Sequence, residues 1–170
     1  YVSGMPTYVT AGLDWGWQCA VVFEPEEPCK LVALRYFVIP DSGCGTGVFG
    51  VGMYRWTGSR IADPLFEPFV TMFNPGSDGW TEIDMEDLNL YFSSGFAASF
   101  VVYDTCTRLG MANEDDDYSY FYSYDDSTWF GADYKFYIQA VVRYLESGET
   151  HTLSGVVSLS PGTGGSPPPT

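Results

Sequence analysis

Histidine occurs once in this sequence, at His151, and cations are scarce: 7 Lys plus Arg stand against 22 Asp plus Glu, for a formal net charge of -15. A chain this anionic is repelled by phosphate backbones and by anionic headgroups, which all but excludes nucleic acid and membrane surfaces as partners. No apolar run approaches the roughly 18 residues that a membrane-crossing helix needs, so membrane insertion of that kind is excluded too. The four cysteines, Cys19, Cys29, Cys44 and Cys106, form no CxxC pair and no cluster with histidine. Zinc and iron chemistry therefore lack a ligand set. A Ser-His-Asp or Cys-His site would have to use His151, which sits in a polar segment with no nucleophile elbow beside it. Helical periodicity is almost absent.

What is present is a chain of 170 residues, 45% hydrophobic and 18% aromatic. That length suits one domain, and the apolar content suffices for a real core. The apolar stretches are short, alternating and bounded by Gly, Pro, Asp or Asn, which is the strand signature. Candidate strands cover 17–23, 29–39, 47–56, 66–73, 79–85, 88–92, 99–103, 118–124 and 134–144, with breaker-rich connections at 24–28, 40–46, 57–64, 74–78 and 105–117. In 29–39, alternation puts Leu31, Ala33, Phe37 and Ile39 toward the core and Lys30 and Tyr36 opposite, with Arg35 at a sheet edge or paired with a carboxylate. This pattern predicts an all-β fold: an antiparallel two-sheet sandwich, jelly-roll-like, with an extra C-terminal strand. The sandwich is expected over 1–146, with 1–17 as an extended lead-in. Residues 147–170 are expected to form a β-prone segment and a Gly/Pro-rich tail.

An even cysteine count without metal spacing points to two disulfides and an oxidising compartment. Cys19–Cys29 with Cys44–Cys106 is the expected pairing of the three possible ones. The chain begins at Tyr1, not Met, so a processed or trimmed protein is expected. The expected location is outside the cell or on the cell surface.

Three features are candidates for function. The run 113–117 (NEDDD) offers Asp115, Asp116 and Asp117 as oxygen ligands for a structural calcium ion, against the plainer reading of a solvated acidic loop. No other cofactor is expected. The run 118–124 (YSYFYSY) places Tyr118, Tyr120, Tyr122 and Tyr124 on one face of a strand. Such a row can stack on sugar rings, pack within the molecule or contact another subunit. The tryptophans Trp56, Trp80 and Trp129 carry the same alternatives. Finally, 152–160 is surplus to a sandwich that closes at 134–144, and it follows a hinge at 146–150. A β-prone segment of this kind can add to the sheet edge of another copy, with Leu153, Val156, Val157 and Leu159 as the side chains filling pockets. No residue is assigned a catalytic role, since no acid sits in the apolar setting that a carboxylate-pair hydrolase would use.

The segments PCKLVALRYFV (28–38), GWTEIDM (79–85), FAASFVVY (96–103), DYSYFYSYDDSTW (117–129) and DYKFYIQAVV (133–142) follow one another in an order that resembles a known module. It is the β-sandwich module common in large secreted proteins of bacteria, often placed just before a C-terminal secretion or sorting signal. The resemblance implies a non-catalytic, extracellular, jelly-roll-like domain. Here HTLSGVVSLSPGTGGSPPPT (151–170) stands where a sorting domain would follow. The resulting expectation is a non-enzymatic structural subunit of an extracellular filament, a homo-polymer joined by strand addition. The alternative is a carbohydrate-binding accessory module with glycans as partners. The Ser/Thr/Pro tail is also a compositional candidate for O-linked sugar.

Overall fold

The computed structural model describes residues 6, 8–10, 13–40, 47–104, 106–114 and 117–154. Its strands, in chain order, are β1 (Tyr8–Val9), β2 (Gln18–Phe23), β3 (Cys29–Tyr36), β4 (Val38–Pro40), β5 (Val48–Trp56), β6 (Ile61–Pro64), β7 (Phe69–Met72) and β8 (Thr81–Asp84). They continue as β9 (Tyr91–Phe92), β10 (Phe96–Val101), β11 (Thr107–Ala112), β12 (Ser119–Ser123), β13 (Thr128–Gly131), β14 (Lys135–Phe136), β15 (Ile138–Tyr144) and β16 (Thr150–Ser154). A single 3-10 turn, Glu86–Leu88, is the only helical element among the described residues.

The all-β class and the sandwich-like packing are as the alternation predicts. One layer is a curled sheet of seven strands in the order β13-β12-β2-β10-β5-β6, with β7 beside β6 on the same rim of β5. The facing layer holds five strands in the order β16-β15-β3-β8, with β9 also on β3. A third, four-stranded sheet (β1-β11-β14, with β4 also on β11) makes the architecture more than a two-sheet sandwich. All described pairings are antiparallel.

The main core lies between the two large sheets. Val21, Phe23, Phe49, Val51, Met53, Phe96 and Phe100 enter it from one side, and Leu31, Leu34, Tyr36, Ile138, Ala140 and Val142 from the other. Tyr36 is wholly buried at its centre. Its hydroxyl donates to the Ser99 carbonyl of the opposite sheet at 3.1 Å, so the phenol ties the layers without leaving a polar atom orphaned.

Two expected long strands are each split in two. Phe37 N–H donates to the Tyr137 carbonyl, Tyr137 N–H to the Gly110 carbonyl, and Gly110 N–H to the Phe37 carbonyl. This closed ring of bonds carries the chain from the five-stranded sheet into the four-stranded one at both 36–38 and 136–138. The face assignment of 29–39 is also corrected. Val142 lies opposite Leu31 and Val141 opposite Ala33, which leaves Val32 as an extra residue in β3. A bulge of this kind reverses the parity beyond it, so Leu34 and Tyr36 turn inward. Arg35 turns outward, where it pairs with Asp78 and Glu82 and lies over the Trp80 ring.

The cysteines depart from expectation as well. Cys19 and Cys29 are free, buried thiols. From Cys19 the chain climbs β2 to Phe23, about 13 Å of strand, before turning toward Cys29 in the other sheet. That climb exceeds the about 7 Å between Cα atoms that a disulfide spans. Burial pushes the Cys29 thiol up to about 11 and the Cys19 thiol higher still. Cys106 is disulfide-bonded, and Cys44 lies outside the described residues.

The C-terminal segment is corrected most sharply. Thr150–Ser154 forms a hairpin with β15, in which Leu153 lies opposite Ala140 and His151 opposite Val142. Leu153 is buried in the main core of its own molecule. It is therefore not available to a neighbour, and the boundary expected at 146/147 does not detach this strand from the body. The reason is that β15 would otherwise be an open edge with Ala140 and Val142 half covered. Val156, Val157 and Leu159 lie outside the described residues.

Leu153→Ala should lower the unfolding free energy of the isolated protein by about 2 kcal/mol, measured by urea melts. A strand made only for donation would leave it unchanged. In denaturant without reductant, a thiol reagent should titrate two cysteines, and neither should react in the native state at mildly alkaline pH.

Candidate functional site

The core-facing side of β2 carries Cys19, Val21 and Phe23, yet the opposite side, with Gln18, Ala20 and Val22, is buried too. Something covers the outer face of the seven-stranded sheet. Register identifies it. Tyr120 lies opposite Ala20 and Tyr122 opposite Gln18, while Trp129 lies opposite Tyr122. Across the sheet, Gln18 faces Val101, which faces Gly50. Two residues further along, on the same face, Ala20 faces Ser99, which faces Gly52. The middle of this face is therefore a lane of small residues with aromatic rings standing beside it.

Tyr54 lies across that lane. Its hydroxyl donates to Gln18 Oε1 at 2.8 Å, and Ser99 Oγ donates to the same oxygen at 2.7 Å. The Gln18 oxygen is thus committed, which leaves its amide nitrogen as the donor of the pair. Burial raises the Tyr54 phenol above its ordinary range, and the Gln18 hydrogen bond works in the opposite direction. Trp129 packs edge-on to Tyr54 at 5.1 Å and also meets Tyr122 at 5.1 Å. Trp56 and Tyr120 continue the cover over Ala97 and Val22.

Beyond Tyr54 the cover opens into a recess of about 210 Å³. Gln18 and Val101 line its floor, with Trp15, Tyr103, Tyr122 and Tyr124 around it and Pro68 at the far rim. Trp15 stands edge-to-face with Tyr103 (6.1 Å) and with Tyr124 (5.4 Å). Trp15 and Tyr124 are 56% and 52% exposed, so these rings are presented to solvent. Large aromatics in such a position need a partner or a purpose.

Local structure fixes each wall. Trp15 sits in a tight turn in which Trp17 N–H donates to the Asp14 carbonyl, and Gly16 N–H ties the turn to the Val102 carbonyl. Gly16 has φ +85°, and a Cβ there would come within 2.7 Å of the Tyr124 ring. Only glycine allows both the turn and the close ring. Tyr103 packs against Gly50, where any Cβ would collide with the ring and with Val101. The following turn is held by Asp104, whose carboxylate accepts from Val48 N–H and Cys106 N–H, both at 3.0 Å.

The structure brings Tyr122 and Tyr124 to the recess, while Tyr118 and Tyr120 pack with the outer cluster beside it. Trp80 is elsewhere, buried with Phe37 and Tyr137. Asp115 and Asp116 lie outside the described residues. Asp117 is exposed, and its backbone carbonyl accepts the Tyr120 hydroxyl. Among the described residues no three His, Cys, Asp or Glu side chains converge to hold a metal ion. His151 packs against Tyr144 with the rings tilted and 4.6 Å apart, and its Nε2 lies 3.4 Å from Glu149. No helix among the described residues is long and apolar enough to cross a membrane.

Sequence reasoning missed Trp15, Gln18 and Tyr103. Gln18 carried a usable signal, because β2 is apolar on both sides and a lone amide amid such a strand marks a covered outer face. Trp15 and Tyr103 carried none, since each reaches the recess from a turn.

Gly50→Ala should expel the Tyr103 ring and cost about 1–3 kcal/mol of stability. Gly131→Ala, where an added Cβ meets nothing within 4 Å, should be nearly neutral in the same urea melts.

No protein-family model, no curated protein and no solved structure matches this chain.

Proposed function

We propose that this protein is a non-catalytic, extracellular sugar-binding module, and that the recess between Trp15 and Tyr122 is where the sugar sits. The observation that carries the reading is the exposed aromatic wall around a single oriented amide. Small-ligand sites are mostly apolar and aromatic with a few placed polar groups. A pyranose offers the complement: flat C–H faces for ring stacking and hydroxyls for Gln18 Nε2 and the tyrosine hydroxyls. The volume of about 210 Å³ suits one sugar ring with its neighbours outside. The likeness to a module of secreted bacterial proteins supports a place outside the cell. So does the Cys106 disulfide, for which we propose Cys44 as the partner.

A second reading, assembly between copies, is favoured by β16. Among the described residues this strand pairs only with β15, and an edge strand of this kind can take up a strand from another copy. Residues 155–160 would supply that strand, and polymer on sedimentation would support it.

Soluble oligosaccharides should quench or shift the tryptophan fluorescence saturably. Trp15→Ala and Tyr122→Ala should each weaken binding by roughly tenfold, or about 1.4 kcal/mol. Because Trp15 is more than half exposed, its loss should change stability by less than about 1 kcal/mol. A glycan panel with no saturable binder would reject the sugar reading.

A further inference from the structure

The rings around the recess do more than offer flat faces. Trp15 stands edge to face with Tyr103 at 86° and with Tyr124 at 77°, so rings of different inclination border the recess. A ring face left free beside such an opening attracts a cation. Among the described residues that line the recess there is no Lys, Arg or His. The cation–π contacts among the described residues, Lys30 on Tyr91 and Arg35 on Trp80, both lie on the other large sheet.

The surrounding charge points the same way. Lys30 and Arg143 are paired with Glu86, Arg35 with Asp78 and Glu82, and Arg55 with Asp63. With 22 Asp plus Glu against 7 Lys plus Arg, most acids cannot each have a cation of their own. Around the recess, Asp14 adjoins Trp15 and Asp125 adjoins Tyr124, and both carboxylates are exposed. A site with aromatic walls, no resident cation and a negative field favours a positively charged ligand and disfavours an anionic one.

We infer that the sugar taken by this recess is an amino sugar in its protonated form, as in a deacetylated hexosamine chain. This rests on the sugar-binding reading and adds the charge of the ligand to it. The ammonium group sits among Trp15, Tyr103 and Tyr124, while Gln18 and the tyrosine hydroxyls meet the ring hydroxyls. Uronic and sulfated sugars are turned away.

The test is calorimetric titration of the full chain with three disaccharides: the free-amine hexosamine, its N-acetylated form and an acidic uronate. It is run at about pH 5.5 and low salt, on the native sequence and on Trp15→Ala. The expected result is roughly tenfold tighter binding of the amine than of its acetylated form. That preference should vanish in Trp15→Ala and again when the amine is deprotonated at alkaline pH. Equal affinity for the amine and acetylated sugars overturns this inference and leaves the sugar reading standing. A preference that survives in Trp15→Ala, which keeps the full negative charge, also overturns it, because the attraction is then unspecific. Binding of none of the three, together with a glycan panel that has no saturable binder, removes the sugar reading and this inference with it.

Discussion

A glutamine is the constraint on which the outer face depends. Gln18 is buried on the side of β2 that looks away from the core, and its carbonyl oxygen takes hydrogen bonds from both Tyr54 and Ser99. Ser99 in turn accepts the Tyr36 hydroxyl on the core side through its backbone carbonyl. A polar thread therefore runs through the seven-stranded sheet, from the centre of the sandwich to the floor of the recess. Each buried member would cost about 1–3 kcal/mol if its partner were lost. The thread holds the Tyr54 hydroxyl, Tyr54 packs against Trp129, and Trp129 packs against Tyr122. The wall of the recess is thus set by bonds formed inside the sheet.

The same sheet serves two masters because its two faces use side chains of different size. The core side is filled by phenylalanines, with Phe49 stacked on Phe100 and Phe23 against Phe96. The outer side is floored by Ala20, Ser99, Gly50 and Gly52, and large rings fold down over it from the edges. Small residues in a strand lower its intrinsic propensity, and the aromatic cover offsets this by burying them. Rigid placement of the rings is what a binding site gains from being built on strands and short tied turns, since little ordering is left to occur on binding.

Much of the fold was legible in the sequence. Alternation and breakers give the all-β class, and the YSYFYSY run puts its tyrosines on the face they occupy. What failed did so for identifiable physical reasons. Val32 is a bulge, invisible to strict alternation, and it exchanged the environments of Arg35 and Tyr36. The run 105–117 reads as a loop because of its Gly, Asn and Asp residues, yet Thr107–Ala112 is a strand whose Gly110 lets Pro6 pack close. The segment 152–160 reads as surplus, although its first residues belong to β16, because hydrophobic pattern alone cannot say that β15 needs one more neighbour. The recess was only half legible: Tyr122 and Tyr124 lie on a readable strand, whereas Trp15 and Tyr103 arrive from turns far apart in the chain.

The central claim is that a ligand enters the aromatic recess over Gln18. Proton–nitrogen NMR of the labelled chain during titration with an amino-sugar disaccharide addresses it most directly. The account predicts that the Gln18 side-chain amide and the Trp15 indole N–H shift together and saturate, while the amides of β16 and the outer side of the five-stranded sheet stay still. Shifts confined to those other strands, with Gln18 and Trp15 unmoved, would contradict it.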